Sequence, residues 1–376
     1  MGNKLFTDSN GIVGPVGSGC LYGLSDNVDP RAQLDYYASK IHFVRIFCGR
    51  LTPSSTRTGQ SIQAVYDRLP NVMDMLIERN LRAELTCCTD TANGNSLAYN
   101  VENHVAEIAS MAEHYREHVV GLEIWNEVGH STQFPISKSG LLTLKDIAAR
   151  DFSGPIALGA ASIDENDSSG KYPTAWQGNN AYSTIHLNRD KKPSYREAFR
   201  IKEQYDVRNT NDCGACNNEP GRFDHESLDG EFDGMGHERF AYILGCLGVA
   251  WNFMNIAHGS QIRDAQVPTG VELSAFNAYL RGVSKIPRGN YTWFNANNTG
   301  NHPDSPVKNG GFMDGPSNNP DGALWRAYSF VGGPVNIVIA GGEDVNRFFL
   351  EYQNSWQPVE LIDEFAQTQI IRIEQR

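Results

Sequence analysis

Short apolar runs alternate along the chain with longer stretches whose apolar positions recur every three to four residues. The runs that read as strands are Cys20–Leu24, His42–Phe47, Arg82–Cys88, Val119–Trp125, Pro155–Gly159, Tyr182–Leu187, Asp212–Asn217 and Ala250–Asn255. Most are continuously apolar rather than alternating, as parallel strands covered on both faces should be. Between them, Asp29–Lys40, Ser61–Arg79, Val101–His118, Lys138–Arg150, Ser194–Tyr205 and His237–Leu247 predict helices. Pro70 is expected to break the second of these, because proline has no N–H to donate and its ring crowds the preceding turn. The connection Asp164–Asn180 shows no clear helical period and reads as a loop with a short helix. Eight strand–helix units in roughly 300 residues predict an α/β fold of the (β/α)8 TIM-barrel class. An open doubly wound sheet is the fold alternative, but no Gly-rich phosphate turn follows the first strand.

The two ends differ in character. Leu5–Val13 reads as an N-terminal hairpin around Asn10–Gly11. Residues 288–322 form a loop-rich insertion, since 18 of those 35 residues are Gly, Asn or Pro. Glu272–Val283 and Ala323–Phe330 both look helical and compete for the place of the eighth helix. Beyond Gly333, the runs Val335–Ala340, Arg347–Tyr352, Val359–Ile362 and Gln369–Ile373 predict a small β meander. Such a sheet is marginal alone and should pack on the barrel. The expected division is a barrel over residues 1–334 and an accessory sheet over 335–376.

Composition narrows the function classes. The chain has 376 residues, 40% of them apolar, enough for a substantial core, and a net charge of −12 without a long acidic run. That charge argues against a nucleic-acid groove and would repel anionic polymers, so a neutral substrate fits better. No apolar stretch approaches the roughly 18 residues of a membrane span. The first residues show no signal-like apolar run, which fits both a cytoplasmic protein and a mature secreted form. Localisation and oligomeric state stay open. Seven cysteines, an odd number scattered through strand-like runs, argue against a disulfide framework. Cys213-x-x-Cys216 lacks a second pair or a nearby His cluster, and a redox pair would sit at a helix N-terminus rather than in a strand. Core packing is the expected role. No metal or other cofactor is called for.

The chemistry concentrates at strand ends. Val119-Val-Gly-Leu-Glu-Ile-Trp-Asn-Glu127 is an apolar run that stops at a polar pair. Burying a carboxylate without a partner is costly, so Glu127 either enters a solvated turn or projects into a site at the C-terminal mouth of the barrel. A second run, Cys213-Gly-Ala-Cys-Asn-Asn-Glu219, also leads into a glutamate. The two would crown the fourth and seventh strands and face each other across the mouth. Glycoside hydrolysis needs that layout: one carboxyl protonates the leaving oxygen and another attacks or activates water. Like charges brought close cannot both ionise cheaply, which splits their pKa values into an acid and a base.

Trp125-Asn126-Glu127 on a fourth strand, with Glu219 on a seventh, resembles the retaining glycoside hydrolases of clan A, nearest in style to family 5. Arg45, in Phe43-Val-Arg-Ile-Phe47, and the opening Phe6-Thr-Asp-Ser-Asn-Gly11 add to the resemblance, which spans roughly residues 5–260. The resemblance implies Glu127 as general acid/base and Glu219 as the nucleophile of a double displacement on a β-linked glycan. It implies that Asn126 bonds the sugar 2-hydroxyl, that Arg45 keeps Glu219 ionised, and that His186 is the strand-six histidine. The pattern is not complete. The clan commonly carries a tyrosine two residues after that histidine, where this chain has Asn188. It often carries a tryptophan at the end of strand eight, whereas Trp251 lies near the start of that run.

Trp125, Trp176, Trp251, Trp293 and Tyr182 are candidate sugar platforms, each with core or loop packing as the plainer role. Glu123 shares a strand face with Trp125 and Glu127 and should point into the barrel below the site, supporting Arg45 or another interior base. Two other readings remain open from the residues. One is a carbohydrate-binding or structural barrel without turnover. The other is a different barrel enzyme, such as a lyase or phosphate-handling enzyme, which would want a Gly-rich anion site after strands seven and eight.

Overall fold

A computed structural model places a strand in all eight predicted runs, and the eight pair in parallel. The structure describes residues 7–8, 11–12, 17–21, 29–49, 61–88, 100–126, 128, 136–159, 182–184, 214–217, 241, 249–253, 267, 270–285, 292–293, 326–331, 336–341, 356–365 and 368–375. At the N-terminus, β1 (Thr7–Asp8) pairs antiparallel with β2 (Gly11–Ile12). Thr7 sits opposite Ile12 and Asp8 opposite Gly11, within the predicted Leu5–Val13 hairpin.

The barrel strands are β3 (Gly17–Leu21), β4 (Phe43–Phe47), β5 (Arg82–Cys88), β6 (Val119–Trp125), β7 (Ile156–Ala157), β8 (Tyr182–Thr184), β9 (Gly214–Asn217) and β10 (Val249–Phe253). Their lateral order is β7-β6-β5-β4-β3-β10-β9-β8, and β7 lies against β8, so the ring follows chain order around its circumference. This is a (β/α)8 barrel.

Helices cover the outside. Among the described residues they include α1 (Arg31–Tyr37), α2 (Ile62–Glu78), α3 (Val101–His114), α4 (Lys138–Asp151) and α5 (Gly270–Lys285). Three start where a capping side chain dictates: Ser61, Asn100 and Ser137 accept the backbone N–H groups of Ala64, Asn103 and Gly140 at 2.9–3.1 Å. Their apolar stripes face the sheet: Val65, Leu69, Val72, Met73 and Leu76 on α2, and Val105, Ile108, Ala109 and Ala112 on α3, are all buried. On α1 and α5, Tyr36 and Tyr37 lie 5.7 and 5.5 Å from the ring of Phe276. The first and last helices therefore pack on each other, closing the outer layer above the β3–β10 seam and marking α5 as the eighth helix.

Several expectations need correction. Pro70 does not break α2, which runs through it. Buried residues flank the proline on both sides, Leu69 before and Val72 after, so burial of the stripe outweighs one lost hydrogen bond. The Ala323–Phe330 stretch is not helical where described: Arg326–Val331 is a strand. Its aromatic residues Tyr328 and Phe330 recur with a period of two, and pairing with Asn336–Gly341 decides the conformation. The C-terminal sheet contains β11 (Thr292–Trp293), β12 (Arg326–Val331), β13 (Asn336–Gly341), β14 (Trp356–Phe365) and β15 (Thr368–Gln375). Its order is β11-β12-β13-β15-β14, all neighbours antiparallel, so β13 lies beside β15 rather than beside β14 as in a simple meander. The predicted elements Ser194–Tyr205 and Arg347–Tyr352 lie outside the described residues, as does all of His237–Leu247 except residue 241, which is helical. Among the described residues, no helix is long and apolar enough to cross a membrane.

One buried polar junction ties α2, α3 and β5 together. His104 Nε2 lies 2.9 Å from the Cys87 carbonyl, and Nδ1 lies 3.0 Å from the Tyr66 hydroxyl. A carbonyl only accepts, so Nε2 carries the proton and Nδ1 accepts from Tyr66. Burial lowers the imidazole pKa to about 4 from the ordinary 6.5. The unfolded chain thus takes up a proton between pH 6.5 and 4 that the folded chain refuses. Stability contributed by the neutral ring is present above that window and is lost as pH falls through it, by roughly 3 kcal/mol. Denaturant unfolding at pH 7 and pH 4.5 should show a smaller loss of stability in His104→Gln than in the native chain; equal losses would disprove the assignment.

Candidate active site

Among the described residues, the barrel interior around Arg45 is polar where branched apolar layers are usual. On β4, Phe43, Arg45 and Phe47 share one face, and the Arg45 guanidinium carbon sits 4.3 Å from the centroid of the Phe47 ring. Arg45 Nε donates to Thr86 Oγ1 on β5 at 3.0 Å, and its NH2 group donates to Glu123 Oε2 on β6. Thr86 Oγ1 also donates to Glu123 Oε2 at 2.8 Å, and Thr184 Oγ1 on β8 donates to Glu123 Oε1 at 2.6 Å. Side chains from β4, β5, β6 and β8 can meet in this way only through the lumen. Arg45 and Glu123 are both fully buried.

The network reaches the end of the fourth barrel strand. Arg45 NH2 also donates to Asn126 Oδ1 at 2.9 Å, and the Asn126 backbone N–H donates to the Cys88 carbonyl at 2.8 Å. Asn126 is thus held by main chain and side chain at once, one residue before Glu127. Glu123 takes the supporting position expected of it, bonded to Arg45.

Parallel strands deliver their C-terminal ends to one rim. β6 stops at Trp125 and β9 at Asn217, so Glu127 and Glu219 each follow two residues beyond the end of their strand, on the fourth and seventh strands of the ring. Both glutamates, His186 and Trp176 lie outside the described residues. Trp251 lies in β10 with its backbone opposite Asn217. Trp125 is 1% exposed and belongs to the apolar core.

Three further residues shape this rim, two of them without a sequence signal of their own. Thr86 and Thr184 supply the hydroxyls that hold Glu123; Thr86 alone could have been suspected, as a polar residue inside an apolar run on the same face as Glu84. Gly159 has φ +93°, and a Cβ there would fall 1.5 Å from the Trp125 carbonyl oxygen. Cys48, Cys87 and Cys88 are buried nearby, and burial pushes the pKa of Cys48 and Cys87 far up, which keeps those two thiols protonated and unreactive. Among the described residues, no group of three or more His, Cys, Asp or Glu side chains could hold a metal ion.

No protein-family model matches the chain, and no curated protein matches it by sequence. Solved structures do. A GH5_18 protein from Streptomyces cattleya, in complex with GlcNAc, superposes with a TM-score of 0.53 at 14% identity, over 73% of this chain and 82% of that one. A GH5_18 protein from Bifidobacterium longum subsp. infantis gives 0.53 at 11% identity, over 72% and 79%. A variant GH5_18 protein from Bifidobacterium longum subsp. longum, in complex with Manβ1-4GlcNAc, gives 0.52 at 12%, over 72% and 79%. The chain has the family 5 glycoside hydrolase fold.

Within that family 5 fold, Gly159 fixes how closely β7 approaches the strand end that carries Asn126. The Trp125 N–H donates to the Leu158 carbonyl at 3.2 Å, so any side chain at 159 must push the two strand ends apart. Gly159→Ala should lower unfolding stability by roughly 3 kcal/mol or more, from the unfavourable φ and the clash together. Gly140→Ala, where the new Cβ would lie 3.2 Å from the Ser137 hydroxyl, should cost far less. Thermal unfolding of the two variants checks the contrast; similar melting temperatures would refute it.

Proposed function

We propose that the protein is a retaining glycoside hydrolase acting on a neutral, β-linked glycan, with Glu127 as general acid/base and Glu219 as nucleophile. The observation that carries this reading is the hydrogen bond from buried Arg45 to Asn126. It anchors the residue before Glu127 at the rim to which β9 also leads. The family 5 fold supports it, and so do the sugars bound by similar barrels, the monosaccharide GlcNAc in one and the disaccharide Manβ1-4GlcNAc in another.

In this mechanism Glu219 attacks the anomeric carbon while Glu127 gives its proton to the departing glycosidic oxygen. Water, deprotonated by Glu127, then attacks the glycosyl–enzyme ester and releases Glu219. Asn126 would bond the sugar 2-hydroxyl, and Arg45 would favour the ionised form of Glu219 by its positive charge. His186, Trp176 and Trp251 are proposed sugar contacts. The division into a catalytic barrel, 1–334, and an accessory sheet, 335–376, belongs to the same proposal. Thr292–Trp293 and Arg326–Val331 lend that sheet two strands from the barrel side of the boundary.

A panel of aryl glycosides and neutral polysaccharides tests the activity; no turnover of any of them would point to a binding barrel instead. On a substrate that is turned over, Glu219→Ala should abolish hydrolysis, and azide should restore reaction with a glycosyl azide of inverted configuration. Hydrolysis at the native rate by that variant would remove Glu219 from the nucleophile role. Glu127→Ala should slow substrates with poor leaving groups by about 10²–10⁴-fold and activated aryl glycosides much less. Equal slowing of both would count against an acid/base role. A crystal structure should place the two carboxyl groups about 5–5.5 Å apart, whereas a separation of about 6.5–9.5 Å would signal inversion.

A further inference from the structure

We infer that Glu123 is a positioning residue that determines, through Arg45, which way round Asn126 offers its amide to the sugar; this rests on the hydrolase reading above. An asparagine amide has an acceptor end and a donor end of nearly equal size, and nothing in its shape decides between them. Arg45 decides it here. A guanidinium can only donate, so the Asn126 oxygen must face Arg45, as it does at 2.9 Å. The Asn126 NH2 group is thereby turned to the far side as a fixed pair of donors. A sugar hydroxyl lying there is recognised as an acceptor, through its oxygen.

Arg45 can impose this choice only if its own fork is fixed, and Glu123 fixes it. The Glu123 carboxylate is clamped from two directions, by Thr86 at 2.8 Å on Oε2 and by Thr184 at 2.6 Å on Oε1. Oε2 also receives the Arg45 NH2 group that serves Asn126. One nitrogen therefore bridges Glu123 and Asn126. A shift of the Glu123 carboxylate moves that nitrogen and with it the Asn126 oxygen. Thr184 stands on β8, four strands round the ring from β4, which carries Arg45, so the orientation of Asn126 also depends on the spacing across the lumen. Glu123 itself lies below the rim and would touch no substrate.

The readout is the ratio of kcat/KM for a hydrolysable aryl glycoside to that for its 2-deoxy counterpart. It isolates the contact with the C2 hydroxyl and cancels any general loss of active protein. Glu123→Met removes both acceptor oxygens at similar length and should reduce this ratio by up to about tenfold, as expected when one neutral hydrogen bond to the sugar is lost. Glu123→Gln keeps an acceptor for Arg45 and should bring the ratio back towards the native value. Thr184→Val loosens one side of the clamp and should reduce the ratio in the same direction, by roughly threefold. If Glu123→Met fails to fold by circular dichroism, Thr184→Val and Glu123→Gln decide the matter. An active native enzyme whose ratio is unmoved by Thr184→Val and by whichever Glu123 variants fold overturns this inference and leaves the hydrolase reading standing. A native enzyme that hydrolyses nothing on the panel overturns both.

Discussion

The ion pair between Arg45 and Glu123 is the constraint around which the barrel is organised. Each of these groups would cost several kcal/mol to bury alone, and their mutual attraction offsets that cost only when the remaining donors and acceptors are also engaged. Thr86, Thr184 and Asn126 engage them. A layer of branched apolar side chains in the same lumen would give at least as much stability at less risk, so the pair is poorly explained as a stabilising device. It does explain why the lumen is tied across β4, β5, β6 and β8. A strand slipped by one residue would turn Arg45, Thr86 or Glu123 out of the lumen and leave a charge buried among the helices. The polar core therefore enforces register where the apolar outer faces of the strands would tolerate a slip.

The outer layer makes the complementary contribution. Serine and asparagine caps start α2, α3 and α4, and the stripes on α2 and α3 bury against the outward faces of the strands. His104 joins two of these helices to the backbone of β5 at Cys87, one residue from Cys88, whose carbonyl holds the Asn126 N–H. Packing on the outside and hydrogen bonding on the inside thus converge on the same short stretch of β5. The rim at Asn126 inherits its precision from both.

Much of this was legible in the sequence, and unevenly so. Arg82–Cys88 and Val119–Trp125 end in the structure where their largely apolar runs end, because a strand buried on both faces admits a polar side chain only where a partner answers it, as at Thr86 and Glu123. The first strand lies three residues earlier than its apolar run, at Gly17–Leu21: its glycine-rich composition says little, and its limits are set by pairing with β4 and β10. Pro70 misled because a local rule was weighed without the buried stripe that overrides it. At the site, Glu123 could be placed from its spacing to Trp125 alone. Thr86, Thr184 and Gly159 could not, since each acts on a residue distant in sequence, and one-dimensional spacing carries no information about who sits across a lumen.

The same distinction bears on Arg45. Read along the chain, it is a positive charge near two carboxylates, and its natural role is to hold one of them ionised. In the structure part of that charge is already answered by Glu123, in full burial. Whatever field Arg45 exerts at the rim is weakened by its partner, whereas its hydrogen-bond directions are sharpened by being held at both Nε and NH2. An arginine anchored in this way serves better as a template than as a charge. The planar fork supplies directions that a lysine ammonium on its flexible stem would not keep. Asn126 receives one of those directions, and the carboxyl group that follows it in sequence begins from a backbone that has been fixed accordingly.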